Sequence, residues 1–377
     1  MARPLGVYIH VPFCTSRCGY CDFNTYTATE LGDDVSRESF HEVLTNAISL
    51  AAPLVRGRQV DTVFVGGGTP TLIGATGLAS VLAAVREELG LAPNAEVTTE
   101  ANPDTIDDAL LDDLLAAGYT RLSLGMQSSA PDVLKILDRT HTPGASVAAA
   151  RAARRAGFTH VNLDLIYGTP GESDDDLRRS IDDALSADVD HVSAYALIVE
   201  DGTPLQRRIA RGDLPMPDDD VAASRYELLD ELLSAGGLDW YEVSNWAKPG
   251  GECRHNVGYW RDGDWLAIGP GAHGHLDGER WWTHKHPRTY AQSVLSGDPV
   301  AGRESVSDRD RHVELVMLGL RLAEGLPLAA LGDVEQQRVP GLVADGLLDE
   351  EALADRRVVL TLRGRLLADG VIRDLLA

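Results

Sequence analysis

Tyr8-Ile9-His10-Val11-Pro12-Phe13-Cys14-Thr15-Ser16-Arg17-Cys18-Gly19-Tyr20-Cys21 passes from a short apolar run into a loop that carries three of the chain's four cysteines. Residues 7–11 read as a buried strand stopped by Pro12, which puts the cysteines at the strand's C-terminal end. Their C-x3-C-x2-C spacing offers three thiolates, one fewer than the four that usually hold a four-iron cluster. One iron of such a cluster is left open, and an open metal position can bind and activate a ligand where a closed one only holds structure. Zinc would want a fourth Cys or His nearby, yet the remaining cysteine, Cys253, lies far along the chain. His10 sits inside the strand and reads as a core residue.

Outward from this loop, 377 residues are enough for one large barrel and a small appended domain, and 44% hydrophobic residues supply an ordinary core. Lys plus Arg is 34 and Asp plus Glu is 58, a formal charge of -24. Such a field repels nucleic acid and anionic lipid, so neither is expected as a partner. No run of eighteen apolar residues exists, and the first residues lack an apolar signal core, which leads to the expectation of a cytoplasmic protein. Four cysteines in so long a chain argue against a disulfide scaffold.

The strand-then-turn pattern recurs. A helix is expected over 33–52, and strand 62–65 runs into Gly66-Gly67-Gly68-Thr69-Pro70-Thr71, where glycine lets backbone approach a ligand. Further strands are expected at 96–100, 121–124, 160–165 and 191–197, each followed by a turn and a helical stretch. Serial β/α units predict an α/β protein with a parallel sheet. Six units fit an incomplete, TIM-like barrel, while a full eight-unit barrel and an open doubly wound sheet remain alternatives. Tyr8, Thr69, Glu100, Gln127 and Asp164 fall at or near strand C-termini, where barrels build their sites.

The cysteine loop and the Gly-rich turn resemble the radical S-adenosylmethionine (SAM) superfamily, which uses a [4Fe-4S] cluster whose open iron binds SAM. Reductive cleavage of SAM there gives methionine and a deoxyadenosyl radical. The resemblance implies that Cys14, Cys18 and Cys21 hold the cluster. Tyr8, Tyr20, Gly67, Gly68, Thr69, Glu100, Gln127, Arg139, Asp164 and Ala196 match SAM-site positions of its coproporphyrinogen III dehydrogenase branch. Arg139 would then pair with the SAM carboxylate, and Glu100 or Asp164 with ribose or amine groups. An electron donor such as a flavodoxin or ferredoxin is implied as well.

Beyond residue 236 the composition changes. All six tryptophans fall within 240–282 and five of the eleven histidines within 255–286. Aromatic faces beside imidazoles suit a flat iron macrocycle, and equally suit a Trp-rich core closing the barrel. His255-Asn256-Val257-Gly258-Tyr259-Trp260 resembles the H-N-x-x-Y-W signature of HemW-type heme chaperones. That resemblance implies heme as a ligand with His255 as its axial group, Arg254 and Lys248 for the propionates, and a heme-acceptor protein, with a respiratory one as the first expectation. Three domains are expected: a barrel over 1–236, a barrel-closing segment over 237–290, and a C-terminal, α-rich, winged-helix-like domain over 291–377, with a strand at 358–362. Residue 23 is Phe where the dehydrogenases place a further cysteine, and only seven residues precede Tyr8 where those enzymes have a longer segment. Both features lead to the expectation of a chaperone without dehydrogenase activity, and cluster-dependent homodimerisation is a reasonable accompaniment.

Overall fold

The computed structural model describes residues 3–31 and 35–377. Strands β1 (Leu5–Val11), β2 (Val60–Gly67), β3 (Leu91–Ala101), β4 (Arg121–Gln127), β5 (His160–Tyr167) and β6 (His191–Ala196) lie side by side in chain order. Every neighbouring pair among these six is parallel. Sequential order is what single winding produces, whereas double winding reverses order part-way across a sheet. The expected six-unit parallel arrangement is therefore present, and the sheet is not closed on itself: further strands extend it at both sides.

The alternation along these strands explains the architecture. In β1 and β2, Val7, Ile9, Val11, Val63 and Val65 are fully buried in the main apolar core. In β4 to β6 the same core takes Leu122, Leu124, Val161, Leu163, Leu165, Val192 and Ala194. In β4 to β6 their sequence neighbours point to the other face: Arg121, Ser123, Asn162, Asp164, His191 and Ser193 border one small cavity of about 40 Å³, which Phe64 and Thr98 of β2 and β3 also line. Helices cover the apolar face in series: Phe40–Ala51, Gly74–Ala84, Asp108–Ala117, Ala145–Ala156, Asp174–Ser186 and Asp219–Ala235, each touching the next. The first is shorter than the 33–52 expected, and Asp33 lies outside the described residues.

The Trp/His-rich region completes the sheet. β7 (Asp239–Glu242) and β8 (Asn245–Ala247) form a hairpin against β6, and β9 (Asp264–Ile268) adds to the outer edge of β1 in parallel. β10 (His273–Leu276), β11 (Glu279–Thr283) and β12 (Val300–Ser305) continue beyond β9 as antiparallel strands. Between β8 and β9, the short helix Arg254–Trp260 is joined to the N-terminal half of the sheet.

A second apolar core, from Val316 through Leu342 and Leu348 to Leu375, gathers the C-terminal helices. The strand expected at 358–362 is a correction: β14 is only Arg357–Val358, paired with β13 (Leu326–Pro327). Leu360 makes one isolated bridge to Leu348, and Thr361 already caps the helix Leu362–Leu366 by accepting from the Gly364 N–H. A side-chain cap of this kind starts a helix whatever the β propensity of the residues before it.

Candidate functional site

The cysteine loop is tied down from several directions. Cys14 N–H donates to Tyr26 O at 3.0 Å, Gly19 N–H to Leu137 O at 3.0 Å, and Leu205 N–H to Gly19 O at 2.8 Å. Asn24 reaches across to the barrel-closing region, its side-chain amide donating to Pro270 O at 3.0 Å and Lys285 O at 2.8 Å. His10 Nε2 meets Asn24 O at 2.9 Å. The roles of Asn24 and His10 had no signal in the sequence, because their partners lie far away in it or are backbone atoms. The Gly-rich turn presses against the loop: Thr69 N–H donates to Phe13 O at 2.7 Å, and a Cβ on Gly68 would stand 2.3 Å from that oxygen. Only glycine fits there.

One cavity of about 470 Å³ opens beside this loop. Cys14, Cys18 and Cys21 border it, and so do Tyr20, Gly67, Gly68, Thr69, Glu100, Gln127, Arg139, Asp164 and Ala196. Among the described residues, no group of three His, Cys, Asp or Glu side chains is gathered for a single metal ion. The polar atoms around the cavity are incompletely satisfied. Gln127 Oε1 and Arg139 Nε are buried without a hydrogen-bond partner, and such orphans are costly unless a ligand completes them. Gln127 also holds φ 61°, a conformation that costs a non-glycine residue on the order of 1–3 kcal/mol and concentrates at ligand sites. A zwitterionic, hydroxyl-bearing ligand fits this donor and acceptor set, as does a cluster on the three thiols.

The charges are unevenly spread. Glu100 accepts from the Gly67 N–H at 2.9 Å, yet burial and the neighbouring Asp164 push its carboxyl up to about 8. Burial also raises Asp164, against hydrogen bonds from Asn162 and Ser123. Arg139 Nη1 stands 3.4 Å from Cys18 Sγ; burial disfavours its charge, and Cys18 and Tyr20 more than offset that, so its pKa is raised. Burial pushes the Cys21 thiol up to about 11 in spite of the Phe23 backbone N–H aimed at it, and raises Cys14 too. A bound metal reverses that preference, since a coordinating thiol is deprotonated outright. His141, not singled out in the sequence, is buried with Nδ1 unpaired, and burial and Arg139 lower it to about 4.

Two expected site residues lie elsewhere. Tyr8 is in the middle of β1, its hydroxyl 3.0 Å from His10 Nδ1 and its ring against Phe64. It touches the site through His10 and does not border the large cavity. His255 is only 2% exposed and both its ring nitrogens are used, Nδ1 with Thr62 Oγ1 and Nε2 with the Tyr259 hydroxyl, each at 2.8 Å. Its ring stacks on Phe64, and burial lowers it to about 4. It is packed in the core here and does not border the large cavity. The expected propionate partners are also engaged: Arg254 donates to Asn94 O and Asp61 O, and Lys248 pairs with Asp188 at 3.3 Å.

Residues 8–184 match the radical SAM superfamily. Over 376 residues the chain is 58% identical to the heme chaperone HemW of Mycobacterium tuberculosis (strain CDC 1551 / Oshkosh), covering 99% of this chain and 95% of that one. The Escherichia coli (strain K12) heme chaperone HemW is 36% identical over 361 residues, 92% of each chain. Among solved structures, the coproporphyrinogen III oxidase HemN from Escherichia coli superimposes with a TM-score of 0.83 at 24% identity, over 99% of this chain and 90% of that one, a likeness of fold. The three-thiol loop, the Gly-rich cradle and an end-to-end likeness to these relatives lead to one conclusion: the chain belongs to the HemW family of the radical SAM superfamily.

Proposed function

We propose that this protein is a heme chaperone, which binds heme and hands it to an acceptor protein. The reading is carried by the 58% identity to a heme chaperone across essentially the whole chain. The protein carries a [4Fe-4S] cluster on Cys14, Cys18 and Cys21. SAM occupies the adjoining cavity, with Arg139 holding its carboxylate, the Glu100 and Asp164 carboxyls taking its amine and ribose, and Gly67, Gly68 and Thr69 letting it close on the loop. When bound, these groups supply one-electron chemistry at the open iron. The chain's own residues position the ligand: Arg139 links the cavity wall to Cys18, and Gln127 offers its unpaired Oε1.

Phe23 stands where the dehydrogenase branch has a further cysteine, which supports a protein without that activity. No helix among the described residues is long and apolar enough to cross a membrane, and a cytoplasmic location belongs to the same proposal. So do a respiratory acceptor, a flavodoxin or ferredoxin as electron donor, and a cluster-dependent homodimer. A division at 236/237 and a separate C-terminal unit are likewise proposed, the latter supported by its own core from Val316 onward; it begins later than the expected residue 291, because the helix Pro287–Ser296 runs through that boundary and β12 still belongs to the main sheet.

The test is anaerobic. Reconstituted protein is mixed with SAM and a reductant, then given either coproporphyrinogen III or heme. Heme binding and transfer without decarboxylation supports the chaperone. Decarboxylated product with matching deoxyadenosine overturns it in favour of the dehydrogenase.

A further inference from the structure

With His255 engaged in the core, the heme needs another seat. Most large apolar side chains of this protein are buried, but three exposed ones stand on the rim of the cavity beside the cysteine loop: Phe23 is 63% exposed, Ile198 66% and Tyr195 44%. Beneath them the same cavity is walled by Ile166 and Leu197, which are buried. They come from distant segments, the cluster loop, the end of β5 and the segment leaving β6, so the patch is assembled by the fold. An apolar patch continuous with a polar ligand cavity marks a binding surface more than a stray exposed residue does. Its chemistry matches a flat apolar ring with an acidic edge, because Arg17 lines the same cavity. Arg17 donates to the Thr25 carbonyl and pairs with Glu30 at 3.2 Å; the ion pair is exposed on both sides, and exposed pairs are weak enough to exchange partners while the backbone bond keeps the side chain at the loop.

We propose that heme docks at the mouth of this cavity, one face against Phe23, Tyr195 and Ile198 and its propionates toward Arg17, over the site that holds SAM and the cluster. This location rests on the heme-chaperone reading above. In the same scheme, the H-N-x-x-Y-W segment is fastened to the N-terminal half of the strands. Glu96 accepts from the backbone N–H groups of Arg254 and His255 at 3.1 and 3.0 Å, Arg121 clamps Glu96 at 3.1 Å, and His255 pins the segment to Thr62. Asn256 of this segment borders the small cavity that shares Glu100, Asp164 and Tyr195 with the large one, so the motif supports the site from behind while His255 itself stays in the core.

The experiment uses full-length protein with cluster and SAM loaded, titrated with ferric heme and followed at the Soret band, in three forms: wild type, the double variant Phe23→Ser and Ile198→Ser, and His255→Gln. Both rim residues are exposed, so the double variant is expected to fold with unchanged iron content and SAM affinity. Its heme affinity is expected to fall by at least tenfold, while His255→Gln keeps the wild-type heme affinity at a lowered melting temperature. A second readout is the spin relaxation of the reduced cluster, which bound heme at the cavity mouth accelerates in wild type. Wild-type heme affinity in the rim variant overturns the location, as does loss of heme binding in His255→Gln at an unchanged melting temperature. A wild-type protein that binds no heme at all defeats the chaperone reading itself, a result distinct from either of these.

Discussion

At the scale of single residues, the site depends on a few groups held in states they would not adopt in water. Arg139 is fixed between Cys18 Sγ and Gly125 O with Nε unpaired, so it presents a planar fork that lysine cannot copy. Arg139→Lys should lower SAM affinity by about 10- to 100-fold while leaving cluster iron unchanged, as read by equilibrium dialysis beside an iron assay. Glu100 gives a pH signature. With its carboxyl raised to about 8 by burial and Asp164, the folded chain holds a proton that the unfolded chain has released. Stability contributed by that proton is therefore present at low pH and is lost as pH rises from the ordinary carboxylate range to about 8. Unliganded protein should melt at falling temperature across that window, and Glu100→Gln should flatten the slope. The fixed positive charge of the SAM sulfonium favours the ionised carboxylate, so SAM binding near pH 7 should release more protons per chain from wild type than from the Glu100→Gln variant. Calorimetry in buffers of different ionisation enthalpy measures the difference, and equal release from the two forms would show that Glu100 keeps its proton.

At the scale of elements, the six parallel strands were legible because each is a short apolar, β-branched or alternating run that ends in a turn, and serial order follows from short β/α connections. The cysteine loop was legible from its spacing, and the Gly-rich turn from its place after a strand together with the resemblance to the radical SAM superfamily. The region after residue 236 was not. Tryptophan and histidine serve a cofactor and a core equally well, and what decides between them is β9 pairing with β1 across more than 250 residues, which no local pattern reveals. The strand expected at 358–362 failed for the opposite reason, since a local cap at Thr361 overrode β-branched propensity. The buried helix Arg254–Trp260 should be costly to disturb. His255→Ala removes two buried hydrogen bonds and a ring stack, and should cost about 2–4 kcal/mol in denaturant unfolding. Arg121→Met, which leaves Glu96 charged and unpaired in the interior, should cost about 3–5 kcal/mol.

At the scale of the whole molecule, the C-terminal core is joined to the rest by ion pairs, a cation–ring contact and the packing of Leu362 and Leu366 on the main core. Arg365 forks onto Asp230 with two bonds of 2.8 Å and lies over the Trp240 ring at 4.3 Å. Arg261 grips Glu324, and Arg311 reaches Asp262. Arg365→Ala should cost roughly 1.5–3 kcal/mol and separate one thermal transition into two, visible by calorimetry, with the C-terminal helices becoming sensitive to protease first. The cluster loop, by contrast, is fastened by backbone bonds to Tyr26, Leu137 and Leu205 and through Asn24 to Pro270 and Lys285. None of these fastenings involves a cysteine sulfur, so the loop's anchoring does not depend on the thiols being ligated. A chain stripped of its cluster by oxygen should therefore take it up again from iron, sulfide and a thiol reductant without being refolded first.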